Sequence, residues 1–363
     1  MKGCMSVKKW LLTCFCTSLL LLAAVCVLVL ATDPFCRFRF RDGTFLLGGR
    51  HVSPGLVKNY DYNAFLVGSS MTQNFDVDHF EALHDVDLLL VGLGGMGPEE
   101  ESRYLHLAEQ TGKAQSYFVC IDLATFGREL PIRTEEYLFD FGVASNLKYF
   151  MDYDAVVRAV PKRIAVDGMT MLGLPIPGSV QKYMDANKLG QWSDTVVFGE
   201  HVVLTNYFAG KFATNELDPQ GLEERMKASI DHFFEGDIDW RKCMMFLPPY
   251  SVLYWYQMKQ ETVLDELLTA RAYFVQKATM AGCTVFDFQV HACTMSLDNY
   301  KDTTHYAPAI NNLIAELLLD PSYIVTPESV ARSNQILLEN VDIFQNQFSE
   351  FEQTYGALSA KRS

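Results

Sequence analysis

The sequence predicts an α/β protein in which helices cover both faces of a parallel sheet, preceded by one N-terminal transmembrane helix. Two observations carry this prediction. Short apolar runs such as YNAFLVG (62–68) and VDLLLVG (86–92) alternate with segments of helical pattern, which is typical of strand–helix–strand units. The run from Trp10 to Ala31 contains no charged residue and is long enough to cross a bilayer as a helix.

The N-terminal segment predicts a membrane anchor. Three lysines precede the apolar run, so the positive-inside rule places residues 1–9 in the cytoplasm and the domain that follows outside the cell membrane. A cleaved secretory signal has a shorter apolar region, and the VLA at 29–31 is only a weak cleavage site. We therefore expect a single-pass, uncleaved anchor over 10–31 and a juxtamembrane linker over 32–60, in which CRFRFRD resembles a short strand or an interfacial segment.

The charge and the cysteines of the chain exclude several classes of protein. The chain has 44 acidic and 30 basic residues and a formal net charge of −14. Such a surface repels phosphate backbones, so no nucleic-acid partner is expected. Nine cysteines without a CxxC pair argue against a disulfide scaffold or a zinc site. Cys283 and Cys293 remain either a pair or buried free thiols, and neither a metal nor a cofactor is expected.

The elements of the predicted domain, 61–325, follow from local patterns. In the segment GPEEESRYLHLAEQTG, Pro98 stands in the first turn of a helix, acidic residues follow it, and Gly112 ends the helix. Residues 145–215 contain glycine and proline breakers, and we expect an insertion that caps or walls the site. A C-terminal helix is expected over 326–363. The predicted strands are YNAFLVG, VDLLLVG, AQSYFVCIDL, CMMFL and CTVFDF, and the predicted helices cover 76–84, 97–112, 218–234, 258–280, 307–319 and the segment that Thr326 caps.

The first strand ends in the sequence Gly68-Ser69-Ser70. A strand that ends in a glycine turn exposes the next side chain at the carboxyl edge of the sheet, where open α/β sheets bind ligands. If a helix begins near Met71, its free N–H groups point at the same spot and can stabilise an oxyanion. Taken alone, the stretch is more typical of a helix cap made by Ser69 or Ser70.

A second motif follows the last predicted strand. In YKDTTHYAP, Asp302 stands three residues before His305, a spacing that lets a carboxylate meet the imidazole nitrogen that faces away from a substrate. Alone, the motif also fits a solvated loop. In a doubly wound sheet both loops open on the same edge, so a triad of Ser70, His305 and Asp302 is geometrically reasonable.

The order of these motifs resembles that of the SGNH/GDSL-type hydrolases, which have a flavodoxin-like fold. The sequence at 68–70 stands where that superfamily has Gly-Asp-Ser. The stretches SPGLVKNYDYNAFLVGSSMTQNF, FLPPYSVLYW and YKDTTHYAPAIN are similar to a membrane-anchored bacterial branch, whose members assist D-alanylation of teichoic acids and O-acetylation of exopolysaccharides. The resemblance covers most of residues 50–320.

The resemblance implies an extracellular serine esterase or O-acyltransferase. Ser70 would be the nucleophile, His305 the general base, and Asp302 its orienting partner. The oxyanion hole would use the backbone N–H of Ser70 and that of Gly94 or Gly95. The implied partners are an acylated cell-envelope polysaccharide or teichoic acid, and a membrane-bound O-acyltransferase.

The sequence departs from the family pattern after the third strand. Where the family has an asparagine in Gly-x-Asn-Asp, this chain has CIDLATF, and an ionised Asp122 is a poor hydrogen-bond donor. The departure leaves open an alternative, a non-catalytic module of the same fold that binds glycan or assists a membrane acyltransferase. Pro249 and Tyr250 are candidates for the substrate pocket, although the Pro-Pro-Tyr-Ser segment is more typical of a rigid turn.

Overall fold

A computed structural model describes residues 6–41, 47–178, 192, 195–212 and 217–356. Within these ranges the strands are β1 (Ala64–Gly68), β2 (Leu88–Gly92), β3 (Ser116–Cys120), β4 (Cys243–Leu247) and β5 (Thr284–Asp287). The helices are α1 (Val7–Thr32), α2 (Gly49–Asn59), α3 (Val77–His84), α4 (Pro98–Thr111), α5 (Glu136–Phe139), α6 (Val143–Met151), α7 (Val160–Met171), α8 (Glu200–Phe208), α9 (Leu222–Phe233), α10 (Val252–Gln260), α11 (Leu264–Ala281), α12 (Pro308–Leu317) and α13 (Val330–Phe351). Parts of the predicted segments lie outside the described residues, namely 1–5 of the tail, 42–46 of the linker, 179–191, 193–194 and 213–215 of the insertion, and 357–363 of the C-terminal helix.

The chain folds into two units and passes between them three times. One unit contains residues 1–60 and 134–189, and the other contains 61–133 and 190–363. The segment predicted as one insertion, 145–215, is therefore divided between the two units. Its glycines and prolines obscure any periodicity, so the sequence pattern does not show where the division falls.

The second unit contains a five-stranded parallel sheet in the order β2-β1-β3-β4-β5. In this order the switch point of a doubly wound sheet lies between β1 and β3, where ligands bind outside the carboxyl ends of the strands. The strands are buried along almost their whole length, which explains why they occur as continuous apolar runs rather than as alternating ones. The structure confirms the predicted α/β class and the parallel sheet flanked by helices.

The turn after β1 packs tightly against β2. Gly68 and Gly92 are paired in register, and the side chain of Thr72 lies against both. A Cβ added at Gly68 would lie 2.6 Å from Thr72 Cγ2, and one at Gly92 would lie 2.7 Å from Thr72 Oγ1. Thr72 Oγ1 also donates to the carbonyl of Ser69 at 3.0 Å. The two glycines therefore fix the position of the segment that carries Ser70.

Two helix boundaries differ from the prediction. The helix predicted over 258–280 is two helices, α10 and α11, and Thr262 between them has a left-handed φ of 59°. Ser251 caps α10 with its side-chain oxygen. The predicted cap of the last helix at Thr326 is wrong, because Thr326 lies in the preceding turn and Ser329 occupies the N-cap position.

The other unit is helical and includes the N-terminal apolar helix. α1 is long and apolar enough to cross a membrane. Its last turns pack with α5, α6 and α7, and the buried residues of this cluster are Val29, Phe35, Leu47, Tyr137, Leu138, Tyr149, Ala155, Ala159 and Val160.

Asp33, directly after α1, is the polar centre of this unit. Its carboxylate accepts the backbone N–H groups of Arg37, Phe38 and Arg39 at 2.9–3.0 Å and the hydroxyl of Tyr149 at 3.1 Å. The segment predicted as a linker thus contains a buried turn, in which Arg37 is 1% exposed, and the helix α2. The alternation of aromatic and basic residues suggested a strand, but the carboxylate bonds the backbone into a turn.

We expect the buried ion pair of Arg271 to be necessary for the stability of the sheet unit. Its guanidinium contacts the carboxylate of Asp287 and donates to Gln289 Oε1 at 2.8 Å and to Ser333 Oγ at 2.9 Å. Arg271→Met leaves the carboxylate of Asp287 buried without a counter-charge. The free energy of unfolding, measured by urea denaturation in detergent micelles, should fall by about 3–5 kcal/mol.

Lys259→Met is the matched control. Lys259 Nζ lies 2.7 Å from Asp342 Oδ1, but both side chains are exposed. Removing this pair should change the free energy of unfolding by less than about 1 kcal/mol. Equal losses in the two variants would contradict the role assigned to Arg271.

Candidate functional site

Three side chains from distant parts of the chain meet after the carboxyl ends of the strands. Ser70 directly follows the turn after β1, and its Oγ lies 2.6 Å from Nε2 of His305. Nδ1 of His305 lies 2.8 Å and 3.0 Å from the two carboxylate oxygens of Asp302. Because the carboxylate accepts the Nδ1 proton, Nε2 is the acceptor that faces the serine hydroxyl. The structure thus brings together the three residues that the sequence singled out.

The two serines after Gly68 have different contacts. Ser69 Oγ accepts the N–H of Met71 at 3.4 Å and donates to Asp122 Oδ2 at 3.1 Å. Asn311 of α12 holds the same turn, since its Nδ2 donates to the carbonyl of Met71 at 2.9 Å. Ser69 is therefore the cap, and Ser70 is the serine that faces the imidazole.

Asp302 folds its own loop as well as orienting the imidazole. Its Oδ1 accepts the N–H of Thr304 at 3.0 Å and that of His305 at 2.7 Å. Burial raises the pKa of Asp302, but the hydrogen bonds from His305 and Thr304 outweigh burial and hold this pKa below its ordinary value. Asp302 is therefore a carboxylate at neutral pH and can stabilise an imidazolium.

A cavity of about 420 Å³ opens beside these residues. Its polar and charged lining consists of Ser70, Asp122, Thr125, Arg128, Arg133, Lys211, Tyr254, Gln257, Asp302, Thr303, Thr304 and His305. Gly95 also lines the cavity, and Gly94 does not. The cavity is large enough for a sugar ring with an acyl group.

Two backbone N–H groups at the cavity are available for a negatively charged oxygen. Ser70 is the first residue of its 3₁₀ turn, and Gly95 has a left-handed φ of 66°. Among the described residues, neither N–H donates to a protein acceptor. Gly95 is therefore the stronger of the two predicted glycines for an oxyanion hole.

Asp122 follows β3 and lines the cavity as an acceptor. One carboxylate oxygen accepts the hydroxyl of Ser69, and the other accepts the hydroxyl of Tyr250. An aspartate with these two partners does not supply a third donor to an oxyanion. Behind it, burial and the negative charge of Asp122 raise the pKa of Glu101 well above its ordinary value.

Pro249 and Tyr250 are not among the residues that line the cavity. Tyr250 is 1% exposed, and its hydroxyl is bound to Asp122. Ser251 next to it donates from its N–H and its Oγ to the carbonyl of Thr303, at 3.1 Å and 2.6 Å. These contacts correct the pocket prediction in favour of the rigid turn: the segment supports the loop that carries Asp302 and His305.

Trp192 is a site residue that the sequence did not indicate. Its indole meets the ring of His305 edge-on, with ring centroids 5.3 Å apart. Its Nε1 donates to Gln73 Oε1 at 2.8 Å, its backbone N–H donates to Asn74 Oδ1 at 3.0 Å, and Lys301 Nζ lies 3.8 Å from its ring centroid. In the sequence, a single tryptophan in a segment without periodicity gives no indication that it lies beside His305.

Comparison with known proteins identifies no relative of this chain. No family model matches the chain, and neither the curated proteins nor the solved structures give a significant match.

We expect Glu101→Gln to stabilise the protein more at high pH than at low pH. Folded Glu101 keeps a proton that the unfolded chain releases near the ordinary pKa of 4.5. The contribution of Glu101 to stability is therefore complete below that pKa and is lost as the pH rises towards the raised value. Glutamine has no titratable proton, so the variant does not lose stability in this way as the pH rises. The gain in free energy of unfolding should grow between pH 5 and pH 8, by up to about 1.4 kcal/mol per pH unit.

Glu99→Gln, an exposed residue in the same turn of α4, is the control for this titration. Thermal denaturation of both variants across the pH range measures the difference. A gain for Glu101→Gln that stays constant with pH would show that Glu101 is ionised in the folded protein.

Proposed function

We propose that this protein is an SGNH-type serine esterase or O-acyltransferase that acts on acyl esters of cell-envelope glycans. The observation that carries the proposal is the 2.6 Å contact between Ser70 Oγ and His305 Nε2, with Asp302 on the other imidazole nitrogen. The strand order and the glycine turn before Ser70 are consistent with the family that the sequence motifs resemble.

The first half-reaction forms an acyl-enzyme. Ser70 Oγ attacks the carbonyl carbon of the ester, and its proton moves to Nε2 of His305. The N–H groups of Ser70 and Gly95 would donate to the oxyanion, while the carboxylate of Asp302 stabilises the imidazolium. The bond between the carbonyl carbon and the alcohol oxygen then breaks, and His305 gives its proton to the leaving alcohol.

The second half-reaction releases the acyl group. Water or a glycan hydroxyl attacks the carbonyl carbon of the acyl-enzyme, and His305 accepts its proton. The bond to Ser70 Oγ breaks, and the proton returns to this oxygen. Water as the acceptor gives an esterase, and a hydroxyl gives a transferase.

The N-terminal helix supports a place for this reaction at the cell surface. With Lys8 and Lys9 at the cytoplasmic end of α1, the positive-inside rule orients the domain outward. An anchored enzyme of this orientation meets acylated polysaccharide or teichoic acid, and a membrane-bound O-acyltransferase is the partner that the resemblance suggests.

Asp122 favours a second candidate, a non-catalytic module that binds glycan or assists an acyltransferase. Its carboxylate stands where the resembled family uses an asparagine donor, and both its oxygens accept hydrogen bonds. In that case the triad would be aligned without turning over substrate. The following labelling experiment separates the two candidates.

Ser70→Ala should abolish both covalent labelling by a fluorophosphonate probe and hydrolysis of a chromogenic acetate ester by the full-length protein in detergent. Ser69→Ala is the matched control and should keep the labelling, because Ser69 caps the turn and does not contact His305. Labelling that persists in Ser70→Ala would reject Ser70 as the nucleophile. A wild-type protein that binds glycan but takes no label would favour the non-catalytic module.

Asp302→Asn should lower kcat by about 10³–10⁴ with little change in KM. The amide oxygen is expected to stay on the backbone N–H groups of Thr304 and His305, which turns the amide NH2 group towards Nδ1 of His305. Asparagine then neither accepts the Nδ1 proton nor stabilises the imidazolium, although it retains the shape of the side chain. Steady-state hydrolysis of the same acetate ester measures the effect. A rise in KM at unchanged kcat would instead place Asp302 in substrate binding.

A further inference from the structure

The cavity beside Ser70 concentrates positive charge in an acidic protein. The whole chain has a net charge of −14, yet Arg128, Arg133 and Lys211 all line this cavity. A pocket lined by charge of one sign raises the local concentration of ligands of the opposite sign. The triad reaction described above does not use any of these three cations.

The acidic residues of the cavity are already engaged elsewhere. Asp302 accepts hydrogen bonds from His305, and Asp122 accepts the hydroxyls of Ser69 and Tyr250. Lys211 Nζ donates to the neutral amide oxygen of Asn206 at 3.0 Å. In the described part of the chain, no carboxylate forms an ion pair with Arg133 or Lys211.

A neutral donor lies in the same wall. Tyr254 of α10 is 4% exposed and lines the cavity. Its hydroxyl has no hydrogen-bond partner among the described residues. Burial raises the pKa of this hydroxyl, so it is a donor at neutral pH. A buried hydroxyl without a partner is costly unless a ligand accepts its proton.

We propose that this cavity binds a substrate with an anionic group, a carboxylate or a phosphate, beside the acyl ester. The proposal rests on the esterase or acyltransferase function given above and narrows its substrate to acidic glycans. Arg128, Arg133 and Lys211 attract the anion, and Tyr254 donates a hydrogen bond to it or to a neighbouring sugar oxygen. Charge-assisted hydrogen bonds of this kind are the stronger ones in proteins.

The test compares three acetylated sugars that differ in charge: 3-O-acetylglucose, 3-O-acetylglucuronic acid and 3-O-acetylglucose 6-phosphate. Release of acetate by the full-length protein gives kcat/KM for each. We expect kcat/KM to be at least about tenfold higher for one or both anionic sugars, and the preference to shrink with added salt. The two anionic arms distinguish a carboxylate from a phosphate.

Three variants test whether the residues that line the cavity cause the preference for anionic sugars. Arg133→Gln and Lys211→Gln should each reduce it several-fold while hydrolysis of acetylglucose stays measurable. Arg332→Gln, an exposed arginine of α13 far along the chain, should leave it unchanged. Equal kcat/KM for all three sugars, or a preference that survives both cavity variants, would overturn the proposal.

A binding measurement tests the anion site independently of whether the protein is catalytic. If the wild-type protein hydrolyses none of the sugars, the proposed function fails, and calorimetric titration of Ser70→Ala with the same sugars decides the remaining question. Tighter binding of the anionic sugars, lost in Arg133→Gln, supports the anion site. Equal or undetectable binding of all three rejects it.

A second inference rests on an independent surface in the helical unit. Five apolar residues of α6 and α7 are between 47% and 87% exposed, namely Val143, Leu147, Met151, Ile164 and Met171. On α6 they recur every fourth residue, and on α7 they are seven apart. We call these five residues the exposed apolar set.

The two helices that carry the exposed apolar set pack against the N-terminal helix. Tyr149 of α6 and Val160 of α7 are buried together with Val29 near the end of α1. On α7, Asp167 lies between Ile164 and Met171, and its carboxylate is paired with Arg163 at 2.9 Å. The apolar surface thus continues from the last turns of the anchor onto two neighbouring helices.

We infer that α6 and α7 lie in the interface of the lipid bilayer next to the anchor. The inference depends on α1 crossing the membrane. Each helix also carries an exposed lysine, Lys148 on α6 and Lys162 on α7. Helices with an apolar face and basic residues beside it are those that lie in a membrane interface. A bilayer is favoured over a protein partner because the adjoining helix is itself long and apolar enough to be surrounded by lipid.

Photocrosslinking distinguishes lipid from protein. Benzoylphenylalanine replaces Leu147, Ile164 or Lys162 in the full-length protein, in liposomes that contain radiolabelled phosphatidylcholine and phosphatidylglycerol. Lipid adducts should form at 147 and 164 and be several-fold weaker at 162, which lies on the same helix outside the exposed apolar set. Equal adducts at all three positions, or protein adducts at 164 in native membranes without lipid adducts in liposomes, would overturn the inference.

Discussion

The arrangement of the site depends on the hydrogen bonds that the carboxylate of Asp302 accepts. The same oxygens hold the backbone of Thr304 and His305 in a turn and bind the imidazole at Nδ1. One ionised side chain thus determines the shape of the loop, the tautomer of His305 and the direction in which Nε2 faces Ser70. Burial opposes the charge of this carboxylate, and its hydrogen bonds offset that penalty.

The residues around the triad act mainly by holding backbone in place. The side chain of Thr72 packs between two glycines below Ser70. Asn311 donates a hydrogen bond to the carbonyl of Met71, and Ser251 donates one to the carbonyl of Thr303. These contacts come from β1, β2, α10 and α12, so the site is supported on several elements of the sheet unit rather than on one loop. Such support keeps reacting groups within the narrow tolerances that catalysis needs.

Much of the sheet unit could be predicted because its signals are local. Buried parallel strands give continuous apolar runs, and the fixed topology of a doubly wound sheet brings Ser70 and His305 to one edge although 235 residues separate them. The division into two units, the turn around Asp33 and the position of Trp192 could not be predicted, because they depend on contacts between segments without periodicity. The burial of Tyr250 could not be predicted either, because it depends on the hydrogen bond from its hydroxyl to Asp122, which is distant in the sequence.

The threefold passage of the chain between its two units has a consequence for biosynthesis. The helix α1 leaves the ribosome first, but α5, α6 and α7, which pack around its end, follow it only after β1, β2 and β3 have been made. When the packing partners of α1 are synthesised, three of the five strands have already been made, and these strands are completed as a sheet only when β4 and β5 follow. Neither unit can be finished before the other has begun, so no single cut of the chain yields one of them whole.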